Sequence, residues 1–379
     1  MRAALLERFD GLADRFLADI EPMKEAGALV VGIYCTFAPV ELVRAAGAIP
    51  VGLCGKKQAP IPAAEKTLPA NLCPLIKSSY GYAVTGTCPY FAASDLLVGE
   101  TTCDGKKKMY EHLSRIKPLH LMHLPAAIGP AQDAYWRDEV RRFQGFLEAA
   151  TGNAITPEAL GEEIRIQNEV RRLLARLLAT AAGTCLPISG LDMMLVSEAK
   201  SFSADPYAYA ATLRELLAEL DAFVAAGESC VPCEARRILL TGCPVGRGSE
   251  KVVRLVEESG GVVVAAENCS GVKSFDLLVD ETGDPLTAIA RRYLRIPCSV
   301  MTPNTGRFAL LDRLTREFRP HGVIDLTWQC CHTYNVESPL VTAHMLETHG
   351  LPTLHIETDY SESDTEQLRT RIEAFLELL

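Results

Sequence analysis

Short apolar segments rich in β-branched residues recur along the chain, and in six of them a cysteine follows close behind the last apolar residue. Helical patterns alternate with these segments, and this alternation predicts parallel, doubly wound sheets. The segments predicted as strands are 29–34, 49–53, 95–98, 119–124, 237–241, 262–266, 322–327 and 353–357, with 275–279 as a further candidate. Since open α/β sheets bind ligands outside the carboxyl ends of their strands, the cysteines are expected at a ligand-binding edge.

A length of 379 residues predicts more than one domain. The pattern indicates an N-terminal α/β domain over 1–131, a helical connector over 132–235 and a C-terminal α/β domain over 236–379. The two α/β parts resemble each other in architecture, although their sequences do not repeat convincingly. A further helix is predicted over 1–27, because charges recur there every three or four positions.

The formal net charge of −10 argues against nucleic acid and anionic membranes as partners, because both require a basic surface. The first residues lack the apolar core of a signal peptide, and no apolar run reaches the length that crosses a bilayer. A cytoplasmic protein is therefore expected.

Thirteen cysteines are too many to be explained only as small buried hydrophobic residues. A reducing cytosol would keep them as thiols, so no disulfide is expected and a multi-cysteine metal site is favoured. Cys185 is interpreted as structural. The pair Cys230 and Cys233 has CxxC spacing but no second pair, which makes it weak evidence for zinc or redox activity.

The stretch 71–110 concentrates the strongest signal. Cys73 and Cys88 stand beside prolines in chain that reads as loop, and Cys103 lies just beyond a strand end. Cys331 follows a strand of the other half and could face Cys103 across a cleft between the domains. Thiolates in this arrangement suit a soft metal or an iron–sulfur cluster, whereas a zinc ion needs four ligands and would leave most strand-end cysteines without a role.

Other chemistries find less support in the sequence. The glycine-containing turn 241–251 matches neither the dinucleotide fingerprint nor the phosphate-binding P-loop pattern. The lysines at 106–108 open a helix and could approach an anion, but a solvated helix face is the favoured interpretation. No nucleophile elbow of a hydrolase is present. Cys331 and His332 are adjacent, and adjacent residues on a strand point to opposite faces, so they do not indicate a nucleophile–base pair.

Seven segments carry a specific resemblance to a known family. They read YCTFAPVELVRAAGAIP, NLCPLIKSSYGY, CPYF, VGETTCDGKKKMYE, TGCPVG, ENCSG and QCCHTYNVES. They resemble the double-cubane cluster proteins, which belong to the superfamily of 2-hydroxyacyl-CoA dehydratase and benzoyl-CoA reductase subunits. The similarity covers about residues 31–360, and the helical region 132–232 is its least distinctive part.

The resemblance implies two Rossmann- or flavodoxin-like domains with a cluster between them, in a homodimer. The implied cofactor is an [8Fe-9S] double cubane, in which two [4Fe-4S] cubanes share a bridging sulfide and each is held by three cysteines. The implied partner is a separate dimeric [4Fe-4S] ATPase, the activator, which supplies low-potential electrons. Such systems reduce small molecules such as acetylene, azide or hydrazine.

The resemblance also assigns roles to single residues. Cys73, Cys103 and Cys331 match the three cysteines that hold one cubane in dehydratase subunits, although Cys330 competes with its neighbour for that place. The three cysteines chosen for the second cubane are Cys35, Cys88 and Cys269, with Cys243 and Cys54 in reserve. The candidate proton donors are His332, Glu41 and Lys77.

Three functions remain open at this point. The leading hypothesis is an ATP-coupled iron–sulfur reductase. The first alternative is a 2-hydroxyacyl-CoA dehydratase subunit with a single [4Fe-4S] cluster, and the second is a carrier of clusters or metal without catalytic activity.

Overall fold

The computed structural model describes residues 5–379. It contains two four-stranded parallel sheets, one from each half of the chain, which confirms the predicted class of two doubly wound α/β domains. The predicted N-terminal helix is present as α1, Leu6–Glu25. Its predicted first residues, 1–4, lie outside the described part of the chain.

The first sheet has the order β2-β1-β3-β4. Its strands are β1 (Val30–Ile33), β2 (Ile49–Gly52), β3 (Leu96–Glu100) and β4 (Leu119–Met122). The helices of this part, after α1, are α2 (Val40–Ala45), α3 (Ile61–Ala64), α4 (Pro74–Thr85), α5 (Pro89–Ala93) and α6 (Asp104–Leu113). All five residues of β3 are buried, as expected for a parallel strand covered on both faces.

Four helices separate the two sheets in the chain. They are α7 (Pro130–Thr151), α8 (Pro157–Ala179), α9 (Gly190–Ala199) and α10 (Pro206–Ala225). Helix α8 packs against α2 of the first part, and α9 packs against a strand of the second sheet. The helical segment therefore joins the two sheets. The boundaries after residues 131 and 235 stay predictions.

The second sheet has the order β6-β5-β7-β8, which repeats the first with every strand number raised by four. Its strands are β5 (Arg236–Gly242), β6 (Gly261–Glu267), β7 (Gly322–Trp328) and β8 (Thr353–Thr358). Its helices are α11 (Lys251–Glu258), α12 (Pro285–Leu294), α13 (Thr305–Phe318), α14 (His332–His349) and α15 (Thr365–Leu378). The predicted similarity of the two halves is thus seen in their topology.

One local expectation is corrected. The segment 275–279 forms no strand, because the amides of Phe275 and Asp276 bond back to the carbonyl of Val272 in a turn. Cys73 and Cys88 lie outside the helices and strands, as predicted, and each directly precedes a helix that begins with proline. Proline fits the first helical position because the amide there needs no partner within the helix.

One disulfide overturns the expectation that the cysteines carry none. Cys185 is bonded to Cys233, with their Cα atoms 4.6 Å apart. The two segments lie side by side because the amide of Cys230 donates to the carbonyl of Leu186, at 2.8 Å. Cys185 is therefore structural, as interpreted from the sequence.

Within the described residues, every helix is too short or too polar to cross a lipid bilayer.

Candidate functional site

A cavity of about 940 Å³ lies outside the carboxyl ends of both sheets, at the upper end of the usual size of ligand pockets. Nine of the thirteen cysteines line it. They are Cys35, Cys54, Cys73, Cys103, Cys243, Cys269, Cys298, Cys330 and Cys331. The position agrees with the rule that open α/β sheets bind ligands at this edge.

Topologically equivalent strands of the two sheets bring cysteines to the cavity. A cysteine follows the end of β1, β2 and β3, and another follows the end of β5, β6 and β7. The three equivalent pairs are Cys35 and Cys243, Cys54 and Cys269, and Cys103 and Cys331. The cavity therefore receives three thiols from equivalent positions in each sheet.

Four thiols form what we call the Cys331 group: Cys73, Cys103, Cys243 and Cys331. Hydrogen bonds from Cys243 and Cys73 hold the pKa of the Cys331 thiol well below its ordinary value. The pKa of Cys73 is raised by its hydrogen bond to Cys331 and by burial, and burial also raises the pKa of Cys103. Two thiols thus stabilise a thiolate on the third, which is the form that binds metal.

Glycine allows Cys243 to reach this group. Gly242 ends β5 with φ of 109°, and a Cβ atom there would lie 2.1 Å from the carbonyl oxygen of Leu326 in β7. No other residue could pass so close to the neighbouring strand. The amide of Trp328 then donates to the Cys243 sulfur at 3.3 Å, which fixes the thiol at the end of the sheet.

The turn before α14 separates the two adjacent cysteines. Cys330 has a positive φ of 60°, which a residue with a side chain rarely adopts. The chain then enters α14, and Cys331 directly precedes its first residue. Cys331 is the member of the pair that bonds to other thiols, in agreement with the choice made from the sequence.

Apart from Cys330, the remaining thiols of the cavity form a second set, the Cys35 group: Cys35, Cys54, Cys269 and Cys298. Burial raises the pKa of Cys35 well above its ordinary value, and the pKa of Cys54 is raised by the same cause. The pKa of Cys298 is raised to about 11, first by burial and then by the nearby Cys269. Cys35, Cys54 and Cys298 thus differ from Cys331, whose pKa is lowered.

Lys106 supplies the positive charge of the Cys35 group. Its side chain is buried, and its Nζ donates to the carbonyl of Tyr34 at 3.1 Å, the same oxygen that accepts from the Cys54 thiol at 2.8 Å. It lowers the pKa values of Cys35 and Cys54 against the effect of burial. A lysine that the sequence analysis assigned to a solvated face therefore lies inside the site.

A buried ionic network supports the segment that carries Cys269. Glu267, at the end of β6, pairs with Lys273 at 2.6 Å and with Arg307 at 3.3 Å, and all three side chains are fully buried. Lys273 and Arg307 both lie over the ring of Tyr334, which lines the cavity. Removing one member would leave a buried charge unpaired, so the network holds this wall in place.

The cavity has the opposite electrical character from the whole chain. Its lining includes seven lysines and arginines but two acidic residues. The basic residues are Arg44, Lys56, Lys106, Lys107, Arg171, Lys200 and Arg292. With a net charge of −10 over the chain, this concentration of cations favours an anionic occupant.

Comparison with known proteins agrees with this geometry. The model of the family described as 2-hydroxyglutaryl-CoA dehydratase, D-component, matches residues 35–379. The chain belongs to this family. The resemblance seen in the sequence, to the 2-hydroxyacyl-CoA dehydratase superfamily, is confirmed.

Curated members of the dehydratase group match almost end to end. The chain is 44% identical over 384 residues to "Putative dehydratase subunit YjiM" of Escherichia coli K12, covering 99% of this chain and 98% of that protein. It is 24% identical to the (R)-phenyllactyl-CoA dehydratase beta subunit of Clostridium sporogenes, over 94% of this chain and 93% of the relative. It is 23% identical to the (R)-2-hydroxyglutaryl-CoA dehydratase beta subunit of Acidaminococcus fermentans, over 100% and 99%.

The three predicted proton donors of this family member lie in different surroundings. His332 is exposed and lines the cavity beside Cys331. Glu41 is buried and accepts hydrogen bonds from Arg171 at 2.6 Å and from Tyr293 at 2.7 Å. Arg171 and Tyr293 line the cavity, whereas Glu41 does not. Although burial alone would raise the pKa of Glu41, Arg171 holds it below its usual range.

Lys77 lies outside the cavity lining. Its Nζ donates to Glu65 and to the carbonyl of Ala70, both at 2.7 Å. These contacts tie α4 to the chain before it. Of the three predicted donors, the structure brings His332 to the thiols.

Five of the six cysteines predicted as ligands line the cavity, and Cys88 does not. The Cys88 sulfur accepts the amide of Phe91 at 3.4 Å and caps α5. Sequence reasoning passed over Cys298, which follows no strand and reaches the cavity from the loop after α12. Its one sequence signal is the preceding proline, Pro297, which is too common a feature to indicate a ligand.

The donor set fits the iron–sulfur cofactor that the resemblance implies. Two groups of four thiols provide enough ligands for two clusters held by three cysteines each, and thiolate is the ligand that iron–sulfur clusters use. The cations of the lining would offset the negative charge of such thiolates. The residues of the cavity are therefore compatible with an iron–sulfur cofactor.

Proposed function

We propose that this chain is the iron–sulfur component of a reductive enzyme, with an [8Fe-9S] double cubane in the cavity between its sheets. The observation that carries the proposal is the division of eight thiols into two groups that share one cavity. A single cubane would use three thiols and leave five without a role.

The Cys331 group would hold one cubane through Cys73, Cys103 and Cys331, with Cys243 as a further donor. The Cys35 group would hold the other through Cys35, Cys269 and Cys298, with Cys54 as a further donor. In this assignment Cys298 replaces Cys88, which was predicted as a ligand from the sequence. When bound, the cofactor supplies low-potential electrons to a small substrate.

The protein's own residues would provide charge compensation and a proton. Lys106 offsets the charge of the Cys35 thiolates from its buried position. His332 lines the cavity, is open to solvent and stands next to Cys331, so it is proposed as the donor that passes a proton to the substrate. Glu41 orients Arg171 and Tyr293.

The proposed partner is a dimeric ATP-hydrolysing [4Fe-4S] activator, and the proposed assembly is a cytoplasmic homodimer. The Cys331 group offers the entry point for electrons. Asp104, the first residue of α6 next to Cys103, has a side chain that is 97% exposed, so this side of the cavity approaches the surface. In the Cys35 group, the Cys54 thiol and Lys106 both donate to the carbonyl of Tyr34.

A second function is favoured by the relatives. Two of the matching proteins are named beta subunits of CoA-ester dehydratases. A dehydratase subunit would use one [4Fe-4S] cluster, on Cys73, Cys103 and Cys331, and would need a second, related subunit. Under that alternative the Cys35 group would hold no iron.

The deciding experiment measures iron and acid-labile sulfide on protein purified without oxygen. About eight irons and nine sulfides per chain are expected for the double cubane, and about four of each for the dehydratase alternative. Folded protein without iron would overturn both functions.

Matched cysteine variants show which thiol group holds the iron. Cys103→Ser should lose the iron of the Cys331 group, and Cys298→Ser should lose the iron of the Cys35 group. Cys88→Ser is the control, because that thiol is half-buried but outside the cavity lining. Full iron in Cys298→Ser together with a loss in Cys88→Ser would restore the ligand set predicted from the sequence.

Activity is tested with acetylene, whose reduction to ethylene consumes two electrons and two protons. The activator, ATP and a low-potential chemical reductant supply the electrons, and water supplies the protons. Ethylene should form with all components and disappear when ATP is left out. His332→Gln should slow formation without lowering the iron content.

A further inference from the structure

A second cluster of metal-binding side chains lies far from the cavity. Asp312 is on α13, and His344 and His349 are in the last two turns of α14. Helix α14 has 18 residues, so about 27 Å separate its two ends. Cys331 and the cavity are at the first end, and the cluster is at the other. None of its three residues lines the cavity.

The three side chains converge on one point. The Nε2 atom of His344 lies 2.6 Å from Asp312 Oδ1, and the Nε2 atom of His349 lies 2.7 Å from the same oxygen. All three donor atoms lie within 4.8 Å of one another. Two imidazoles that aim the same ring nitrogen at one carboxylate oxygen are already oriented as metal ligands would be.

The geometry requires a small adjustment to admit an ion. A tetrahedral zinc ion with bonds of about 2.0–2.1 Å holds its ligand atoms roughly 3.3 Å apart. The nitrogen–oxygen distances of 2.6 and 2.7 Å must therefore lengthen by about 0.6–0.7 Å. The side chains have room for this movement, because 13–26% of each is exposed to solvent.

Neighbouring residues hold His344 in its orientation. Its ring packs against Phe308, with the centroids 5.0 Å apart, and its Nδ1 lies 3.5 Å from the hydroxyl of Thr348. A partner on the second ring nitrogen is the usual companion of a metal-bound histidine, since it fixes the tautomer. Both neighbours come from the two helices that carry the ligands.

We propose that Asp312, His344 and His349 bind a divalent transition-metal ion of the zinc class, with a coordination position left open to solvent. Two imidazoles and one carboxylate match the preferences of such ions, whereas calcium and magnesium select oxygen ligands alone. The ion joins α13 to α14. It thereby anchors the far end of the helix that begins beside Cys331. This site shares no residue with the proposed iron–sulfur site.

Zinc is the probe, and the cavity thiols are the competing site. Protein purified without oxygen, with its own iron in place, is mixed with one equivalent of Zn²⁺ and passed through a desalting column. Retained zinc is counted, and its ligands are identified by zinc X-ray absorption. Nitrogen and oxygen ligands at about 2.0–2.1 Å indicate this site, and sulfur ligands at about 2.3 Å indicate the thiols.

We expect one zinc per chain with nitrogen and oxygen ligands, and a higher melting temperature when zinc is added. Asp312→Asn and His344→Gln should weaken zinc binding at least tenfold and abolish the change in melting temperature. His355→Gln is the matched control, because His355 lies on β8 and bonds to Thr327 instead of Asp312.

Three results would overturn the proposal. They are no retained zinc, a shell of sulfur ligands, and equal zinc binding in Asp312→Asn and the wild type. If Asp312→Asn does not fold, His344→Gln and His349→Gln take its place, because each removes one ligand while Asp312 keeps the other histidine as a partner. Zinc binding equal to the wild type in both of these variants would also overturn the proposal.

Discussion

The two thiol groups share one cavity but stabilise negative charge in different ways. In the Cys331 group, neighbouring thiols donate hydrogen bonds to one sulfur and lower its pKa. In the Cys35 group, burial keeps the pKa of Cys35 and Cys54 high, and Lys106 is the compensating charge. In the Cys331 group, thiolate charge is therefore stabilised by other thiols, whereas in the Cys35 group it is stabilised by a lysine.

This difference gives the groups different roles in the proposed enzyme. The Cys331 group lies near the exposed start of α6 and presents a thiolate before any iron is bound. In the Cys35 group, the raised pKa values of Cys35, Cys54 and Cys298 mean that these thiols must give up protons when they bind iron. The first is suited to take up iron and electrons first, and the second to follow.

The largest expected contrast is in thiol reactivity. In protein stripped of iron at pH 7, Cys331 should be alkylated by iodoacetamide at least tenfold faster than Cys35, since the thiolate is the nucleophile and each pKa unit changes its population up to tenfold. The pKa of Cys331 is lowered and that of Cys35 is raised, so the contrast should shrink as pH rises above 9. Peptide mass spectrometry of timed samples measures both rates.

Cys243→Ala should slow alkylation of Cys331 and leave Cys35 unaffected, because it removes one of the hydrogen bonds that lower the Cys331 pKa. Equal rates at the two cysteines in the unmodified sequence would mean that the groups do not differ in this way.

The second contrast concerns two buried glutamates, of which Glu41 follows Cys35 in the sequence and Glu337 follows Cys331. Glu41→Gln should cost roughly 3–5 kcal/mol, because it leaves the buried Arg171 without its carboxylate. Glu337→Gln should cost less, about 1–3 kcal/mol, since Arg307 keeps Glu267. Urea unfolding followed by circular dichroism gives both values, and a larger loss in Glu337→Gln would reverse the comparison.

The third contrast separates the groups by charge. Lys106→Met keeps the length of the side chain but removes its charge, so the Cys35 group should bind iron at least tenfold more weakly, equivalent to about 1.4 kcal/mol. The Cys331 group should keep its iron, and total iron should fall toward half. Lys107→Met is the control, because Lys107 lines the cavity but pairs with the exposed Asp104. Equal iron content in Lys106→Met and Lys107→Met would contradict the proposed role of the Lys106 charge in iron binding.

The smallest effect is expected where the groups meet. Thr333 contacts the Cys331 sulfur at 3.8 Å and exchanges a hydrogen bond of 3.0 Å with Ser299, the neighbour of Cys298. Thr333→Val should lower stability by about 1 kcal/mol and leave the iron content unchanged. Thermal unfolding and an iron assay on the same sample test this. A loss of iron would show that the two groups are coupled through this bridge.

The sheets could be predicted from sequence because their strands are short, apolar and bounded by polar residues. The helices were harder to predict. Cys73 and Cys88 were correctly assigned to loops, but α4 and α5 were not predicted, although each begins with proline at its first position, where proline is favoured. The segment 275–279 is apolar but folds as a turn, because apolar content alone does not distinguish a strand from buried loop.

The lining of the cavity was largely predictable where a cysteine follows a strand, although Cys54 and Cys243 were placed only in reserve. Cys35, Cys103, Cys269 and Cys331 reach the cavity because parallel strands end at one edge. Cys298 comes from a loop after α12, and its position depends on packing between distant segments that no local pattern reveals. The role of Lys106 was missed for the same reason, since its charge suggested solvent and its burial depends on tertiary structure.

Equivalent strand ends of the two sheets have a further consequence. Each thiol group takes two members from the first half of the chain and two from the second. A hinge motion that opened the cleft would divide both groups at once, and neither half could retain a complete set of ligands. In the proposed enzyme, bound iron and sulfide would therefore link the two halves, so that cluster insertion and closure of the cleft would occur together.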